Sequence, residues 1–206
     1  MANKKQTEIF KKQEKEKRFY LALEDVKIFP WLAVAACAVA ALLFFLNFSA
    51  IYNTDLSGNE IWVTGYHYVF AALTNGFTSP NEALYGSIDI FNHFAPSAIV
   101  TTGICSLLGL IFTAACLALS VIAGAWKKYG LALYAFISAA AGFIALFVAF
   151  IASLSAGPAM IAGYCLGNPK CSLTSLAILP ALAIAAAAVL SFLMWLRFNQ
   201  AKKIRA

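Results

Sequence analysis

Four long stretches of the chain carry no charged residue. They cover residues 28–54, 90–126, 129–169 and 171–196, and their lengths are 27, 37, 41 and 26 residues. Each is longer than the roughly 20 apolar residues that cross the hydrocarbon core of a bilayer as a helix. Because backbone amides in lipid must pair within their own segment, each stretch is predicted to form a helix rather than an isolated strand. The pattern therefore predicts a polytopic membrane protein.

Prolines, interfacial aromatic residues and charged turns set the expected ends of the four helices. The predicted membrane-spanning segments are residues 30–51, 96–126, 129–156 and 173–198. The segments between and around them are an N-terminal segment at 1–29, a loop at 52–95, a turn at 127–128, a short loop at 157–172 and a tail at 199–206. This layout predicts an all-α fold, in which four transmembrane helices form a bundle with a small structured extracytoplasmic loop.

The composition supports a membrane location. Hydrophobic residues make up 62% of the chain and charged residues 12%, about half of the roughly 25% that soluble domains contain. Fourteen of the fifteen Lys and Arg residues lie in the N-terminal segment, the turn at 127–128 and the C-terminal end, whereas the loop at 52–95 has four acidic residues and no Lys or Arg. Since positive residues stay on the cytoplasmic side, both termini are predicted to be cytoplasmic, in the plasma or inner membrane of the cell.

The net charge of +6 fits this orientation and an attraction to membrane lipids, so no nucleic-acid partner is predicted. The N-terminal segment mixes charges of both signs with apolar residues. A helix that lies on the membrane surface and a helix that docks to a cytoplasmic subunit are both compatible with this pattern.

Small residues recur along the third predicted helix with a spacing that alternates between three and four. Such a seven-residue repeat keeps one seam toward a neighbouring helix in a left-handed crossing, and close packing of small residues holds helices together in lipid. The predicted packing seam consists of Ala135, Ser138, Gly142, Ala145, Ala149, Ala152 and Ala156.

The second predicted helix has a different stripe, whose members are mostly four residues apart. It consists of Ser97, Thr101, Cys105, Gly109, Thr113, Cys116 and Ser120. Either it packs inside the bundle or it lines a pore or cavity. Apart from Arg197 at the end of the last span, no charged residue or histidine lies within the predicted spans, so charge-coupled transport is not predicted.

The loop at 52–95 is long enough to have a structure of its own. Residues 61–70 are rich in β-branched and aromatic side chains, and a strand there would place Trp62, Thr64, Tyr66, Tyr68 and Phe70 on one face. The sequence Ser79-Pro80-Asn81-Glu82 predicts the start of a short helix. The aromatic face, Trp62, Tyr66, Tyr68 and Phe70, is expected to cover the bundle, to sit in the headgroup region or to dock a partner.

Two of the five cysteines, Cys165 and Cys171, flank a turn-forming segment in the second outer loop, and they are predicted to form a structural disulfide. A redox-active pair is the alternative, although their spacing differs from the C-x-x-C pattern of membrane thiol oxidoreductases. The only histidines are His67 and His93. No metal site and no cofactor are predicted, because neither histidine has obvious further ligands.

The layout of four helices with a long first and a short second outer loop resembles the tetraspan arrangement of claudins and connexins. The first loop contains neither the Trp-Gly-Leu-Trp and paired-cysteine pattern of claudins nor the multiple cysteines of connexins, so the resemblance is one of topology and carries over no residue role.

The chain also has no recognisable nucleotide-binding, metalloprotease or hydrolase motif, and an enzyme is therefore not predicted. The predicted function is that of a non-enzymatic integral membrane subunit that assembles or interacts with itself or with another membrane protein. The alternatives are a transporter or channel-forming tetraspan protein for a neutral or lipid-like substrate, and a membrane thiol oxidoreductase that uses Cys165 and Cys171.

Overall fold

The computed structural model describes residues 13–21, 24, 26–53, 61–74, 96–164 and 171–205. The fold is mainly helical, as predicted. Its helices are α1 (Phe29–Leu43), α2 (Gly65–Thr74), α3 (Pro96–Ala125), α4 (Ala132–Tyr164) and α5 (Ile178–Arg205), with a 3-10 turn at Tyr129–Leu131. Its strands are β1 (Asn47–Asn53), β2 (Ile61–Thr64) and β3 (Cys171–Thr174). Residues 13–21 are also helical.

Among the residues that the structure describes, three helices are long and apolar enough to cross a membrane. Their apolar parts are Val100–Ala125, Tyr129–Ser155 and Ile178–Lys203, with mean hydropathies of 2.4, 2.5 and 2.3. At 1.5 Å per residue each part is roughly 40 Å long, which exceeds the hydrocarbon thickness of about 30 Å. The protein is therefore membrane-embedded.

Helix α1 is shorter than the predicted span at 30–51. It has 15 residues and ends at Leu43, and the chain then turns into β1. Its length is about 22 Å at 1.5 Å per residue. An apolar sequence alone does not distinguish a helix from a buried strand, and here β1 has a hydrogen-bonding partner on each side. This pairing across the chain decides the conformation after Leu43, so the predicted boundary at residue 51 is corrected.

The three strands form one antiparallel sheet with β1 in the centre, a feature that the all-α prediction did not include. Ala50 of β1 lies opposite Trp62 of β2 and opposite Thr174 of β3. A bulge interrupts the pairing with β2 between Asn47 and Ser49. The sheet therefore joins the segment after α1 to the segment before α5.

The predicted strand at 61–70 is correct only for its first four residues, because α2 begins at Gly65. The side chain and backbone of Thr64 explain the change. The His67 N–H donates to Thr64 Oγ1 at 3.4 Å, and the Thr64 N–H donates to His67 Nδ1 at 3.2 Å. This reciprocal exchange is a capping box with histidine in place of the usual Glu or Gln, and it starts a helix. Tyr66 and Phe70 consequently do not share a strand face with Trp62.

The ends of α4 and α5 also differ from the predicted boundaries. Helix α4 continues through Pro158 to Tyr164 rather than ending at 156, which neighbouring helices in lipid tolerate. Helix α5 begins at Ile178 rather than 173, because residues 171–174 form β3, and it continues to Arg205. Pro180 thus lies in the first turn of α5, where a missing N–H needs no partner.

Helices α1, α3, α4 and α5 form a ring in which α1 contacts α3 and α5, and α4 contacts the same two. Neighbours run antiparallel, since a Cβ added to Gly124 near the end of α3 would meet Pro30 at the start of α1. The end of the bundle where residues 26–30, 123–132 and 194–205 meet is called the terminal end, and the opposite end, which holds the strands, is the sheet end.

Buried positions on these helices alternate in steps of three and four residues. On α1 they include Pro30, Ala33, Cys37 and Ala40. On α3 they include Thr102, Ser106, Gly109, Thr113, Cys116, Ser120 and Ala123, and on α4 they include Ala132, Ala135, Ala139, Gly142, Leu146, Ala149 and Ser153. This repeat is typical of left-handed helix packing.

The outside of the bundle carries large apolar side chains. Ile144 is 63% exposed, Val189 58% and Ile111 52%. This bundle has small residues inside and large apolar residues outside, whereas a water-soluble bundle shows the reverse. The distribution suits a protein that is surrounded by lipid.

Candidate functional site

The interior face of α3 contains most of the predicted small and polar stripe. Gly109, Thr113, Cys116 and Ser120 are buried there. Thr101 is exposed and Cys105 is half-buried, and the side chain of Ser97 lies outside the described residues. Repeated steps of four residues rotate by about 40° each around a helix, so the first half of the stripe leaves the interior face.

Thr102 and Ser106 occupy the interior positions in that first half, one residue after Thr101 and Cys105. An alternating three-and-four spacing counted back from Gly109 would have identified them. The Thr102 hydroxyl donates to the Ala98 carbonyl at 2.8 Å, and the Thr113 hydroxyl donates to the Gly109 carbonyl at 2.8 Å. Because both hydroxyls bond within their own helix, they do not form an open polar lining.

A cluster of thiols and hydroxyls lies in the middle of the bundle. Cys37 of α1 contacts Cys116 of α3 through its side chain, and the Cys116 sulfur lies 4.0 Å from the Ser120 hydroxyl. Ser191 of α5 is a further side-chain neighbour of the Cys116 thiol. The hydroxyl of Ser106, elsewhere on α3, is buried and has no hydrogen-bond partner in the described part of the chain. All members of the cluster are neutral and small, so packing is the role that their chemistry supports best.

Within the residues that the structure describes, no group of three or more His, Cys, Asp or Glu side chains is placed to hold a metal ion. Cys37, Cys105 and Cys116 are free thiols. Cys165 lies outside the described residues, and Cys171 opens β3 opposite Asn53. The Cys165–Cys171 disulfide thus stays a prediction.

The predicted seam on α4 is divided between the interior and its edge. Ala135, Gly142, Ala149 and Ala152 are buried, whereas Ser138 and Ala145 are half-buried, and the side chain of Ala156 lies outside the described residues. The interior also includes Ala139 and Leu146.

Leu146 shows how α3 and α4 fit together. A Cβ added to Gly109 would lie 2.5 Å from Leu146 Cδ2, so the leucine fills the space that the glycine leaves. The contact joins a large residue to a small one, whereas the sequence pattern of small residues favours small residues on both sides. The sequence signal for this contact would have been a glycine on one helix matched with a large residue on the neighbouring helix.

The side chains on the two flanks of α4, on either side of its buried face, differ in size. On one flank, Phe136 packs against Phe192 of α5, with ring centroids 5.3 Å apart. On the other flank Ser138, Ala141 and Ala145 are half-buried and partly accessible. These three residues are called the small flank of α4.

At the sheet end, aromatic residues of α2 close the end of α1. The Tyr66 hydroxyl donates to the Ala41 carbonyl at 3.0 Å, as a second donor to a carbonyl in the last turn of α1 that also accepts the Phe44 N–H. The Tyr66 ring lies 4.5 Å from the Phe45 ring. Tyr68 is fully buried and Phe70 is partly exposed. The side chain of Trp62, in β2, lies outside the described residues.

The backbone of Gly65 packs closely against two phenylalanine rings at this end. A Cβ there would lie 2.6 Å from Phe48 and 2.9 Å from Phe44. The N–H of Gly65 donates to the Leu46 carbonyl, and the N–H of Tyr66 donates to the Phe44 carbonyl. Of the expected roles for the aromatic face, Tyr66 and Tyr68 have contacts that suit covering the bundle.

The neutral imidazole of His67 is part of the same region. Its Nδ1 accepts a hydrogen bond from Thr64, so the proton of the neutral ring is assigned to Nε2. Burial lowers the pKa of His67 below its ordinary value. His93 lies outside the described residues.

Neither a comparison with models of protein families nor a comparison with curated proteins gave a match to this chain.

Proposed function

We propose that this protein is a non-enzymatic integral membrane subunit that assembles with itself or with another membrane protein. In this proposal α1 is the fourth span, both termini are cytoplasmic, and the protein resides in the plasma or inner membrane of the cell. The small flank of α4 is the observation that carries the proposal.

The small flank suits a helix from another chain. Ser138, Ala141 and Ala145 are spaced three and four residues apart, which keeps them on one face. Small residues allow two helix backbones to approach closely in lipid, where apolar burial gives no driving force between helices. The helices of this chain leave these residues partly accessible, although lipid alone would not require small residues there.

The fourth span and the orientation rest on packing and charge. Helix α1 buries Ala33, Cys37 and Ala40 against the long helices, as a member of the same bundle would. Fourteen of the fifteen Lys and Arg residues fall outside the predicted outer loops, which supports cytoplasmic termini.

The test is the native mass of the full-length protein extracted in a mild detergent, with mass spectrometry of copurifying proteins. We expect a homo-oligomer or a heteromeric complex. The double substitution Ala141→Leu and Ala145→Leu should lower the mass to that of the monomer, because larger side chains separate the helix backbones.

The matched control is Ala114→Leu with Ala118→Leu, which adds the same groups at two exposed positions of α3. It should leave the complex intact. A monomer before substitution, or a complex that tolerates the α4 double variant, would contradict the proposal. Thermal unfolding of each variant in detergent distinguishes loss of assembly from loss of folding.

A disulfide between Cys165 and Cys171 belongs to the same proposal, as a brace for the second outer loop. The mass of the intact protein before and after alkylation, with and without reduction, tests it. A pair that is alkylated without reduction would contradict it.

A channel or transporter for a neutral or lipid-like substrate is the second candidate. The unpartnered hydroxyl of Ser106 in the interior favours it, since a buried hydroxyl is suited to a bound neutral polar molecule. Proteoliposomes should then take up glycerol faster than protein-free vesicles, and Ser106→Val should abolish the difference. Equal rates with and without protein would argue against this candidate.

A further inference from the structure

A pocket of about 430 Å³ opens at the terminal end of the bundle. It lies between the N-terminal helix, the turn after α3 and the last turns of α5. Its charged lining groups are Lys27, Lys127, Lys202 and Glu24. The volume falls within the range of roughly 300–1,000 Å³ that is common for small-molecule sites.

The charges of this pocket favour an anion. Three lysines face one glutamate, and that glutamate is already engaged, since the Lys27 Nζ lies 3.2 Å from the Glu24 carboxylate. Lys127 and Lys202 are left without a carboxylate partner among the charged groups that line the pocket. Their positive charges come from the loop after α3 and from α5, two separate elements that converge on one space.

The remaining walls are aromatic. Tyr129 is almost fully buried and its ring lies 5.9 Å from that of Phe198, while the Lys202 Nζ lies 4.8 Å from the Phe198 ring centroid. A site with ammonium groups beside aromatic walls fits a ligand that has a charged head and an apolar body.

The backbone at Lys127 supports a role for this residue. Its φ is +55°, a left-handed conformation that costs a residue with a side chain about 1 kcal/mol or more. A glycine would adopt the same conformation without that cost. The chain nevertheless has a lysine at this strained position, and its side chain lines the pocket.

The pocket also lies at the level where lipid headgroups are expected. The apolar part of α3 ends at Ala125, and that of α4 begins at Tyr129. The exposed Trp126 between them is an interfacial residue type. Basic pockets at the ends of membrane helices suit anionic headgroups.

We infer that this pocket binds the phosphate headgroup of an anionic membrane lipid, with Lys27, Lys127 and Lys202 around the phosphate and Tyr129 and Phe198 against the apolar body. This site goes beyond the proposed assembly function and does not depend on it.

The test uses the full-length protein in mild detergent and measures bound lipid by native mass spectrometry. Phosphatidylglycerol should bind in preference to phosphatidylcholine. The triple substitution Lys27→Gln, Lys127→Gln and Lys202→Gln should weaken phosphatidylglycerol binding about a hundredfold, since each of the three lysines contributes about fivefold.

The matched control removes three lysines from the same end but outside this pocket, Lys17→Gln, Lys128→Gln and Lys203→Gln. It should change the affinity by less than about twofold. Equal losses in the two triple variants would overturn the site in favour of a diffuse charge effect, and equal binding of phosphatidylcholine would overturn the headgroup preference.

A large excess of inorganic phosphate distinguishes the two sources of this chemistry. Retention of phosphatidylglycerol would support a lipid, and displacement would support the anion site but assign it to soluble phosphate. If the triple variant fails to fold, Lys127→Gly removes one charge while relieving the backbone. It should weaken phosphatidylglycerol binding about fivefold, and unchanged binding would overturn the proposal.

Discussion

The two ends of the helical bundle differ in how they are packed and in the charges that they carry. At the sheet end, aromatic rings fill the space, the Tyr66 hydroxyl donates to the Ala41 carbonyl of α1, and the Gly65 N–H donates to the Leu46 carbonyl just after that helix. At the terminal end, lysines and aromatic residues surround an open pocket, and the turn contains a left-handed lysine. The sheet end has the features of a structural closure, whereas the terminal end retains charge and strain that packing alone does not require. The following predictions test this difference.

The largest effect is expected for Gly65→Ala at the sheet end. The added Cβ would overlap Phe48 and Phe44, so we expect a loss of about 2 kcal/mol in the free energy of unfolding in detergent. Gly130→Ala is the control at the terminal end. No heavy atom lies within 4 Å of its added Cβ, and it should change stability by no more than about 0.5 kcal/mol. Equal effects of the two substitutions would remove the distinction between the ends.

Tyr66→Phe should cost about 1 kcal/mol, because it leaves the Ala41 carbonyl without the tyrosine hydroxyl as donor. The ring contacts with Phe44 and Phe45 would be kept. Tyr134→Phe is a suitable control, since Tyr134 is 60% exposed. Chemical unfolding of both variants in detergent would measure the difference, and an unchanged stability of Tyr66→Phe would show that the hydroxyl does not contribute.

Lys127→Gly should raise the free energy of unfolding by about 0.5–1 kcal/mol, because glycine adopts the left-handed conformation without strain. The neighbouring Lys128 has a negative φ, so Lys128→Gly should lower stability slightly instead. Thermal unfolding of the two variants gives the sign directly. A loss of stability in Lys127→Gly would indicate that the lysine side chain makes contacts worth more than the strain.

The smallest effect is the pH dependence that comes from His67. Its pKa is lower in the folded protein, so the unfolded state binds more protons near and below the ordinary pKa of about 6.5. Stability should therefore decrease as the pH falls below that value. His67→Gln keeps a capping side chain that does not titrate, and this part of the pH dependence should disappear in the variant. An identical pH profile for both proteins would contradict the assignment.

The sequence predicted the presence of the three long helices better than the positions of their ends. The charge-free run and Pro96 predicted α3 at 96–126, within one residue of Pro96–Ala125. The sequence of one segment did not predict its conformation where pairing with a distant segment determines it. The run after Leu43 stays apolar while it changes from helix to strand, because β2 and β3 pair with it.

The interior contacts were partly predictable. Four residues of the predicted seam on α4 are buried, but the insertion of Leu146 against Gly109 depends on the relative height of two helices. The histidine capping box at Thr64 was missed because Glu and Gln are the usual residues at that position. The pocket at the terminal end combines residues from three distant parts of the chain, and no spacing in the sequence reveals it.

The central position of β1 has a consequence for the order of assembly during synthesis. Its neighbour β2 follows closely, but its other neighbour, β3, is made only after α2, α3 and α4. Until then one edge of β1 has unpaired backbone groups, and such an edge invites pairing with another chain. The sheet is therefore completed late, and the nascent protein has to keep the open edge of β1 from pairing with another chain until β3 is made.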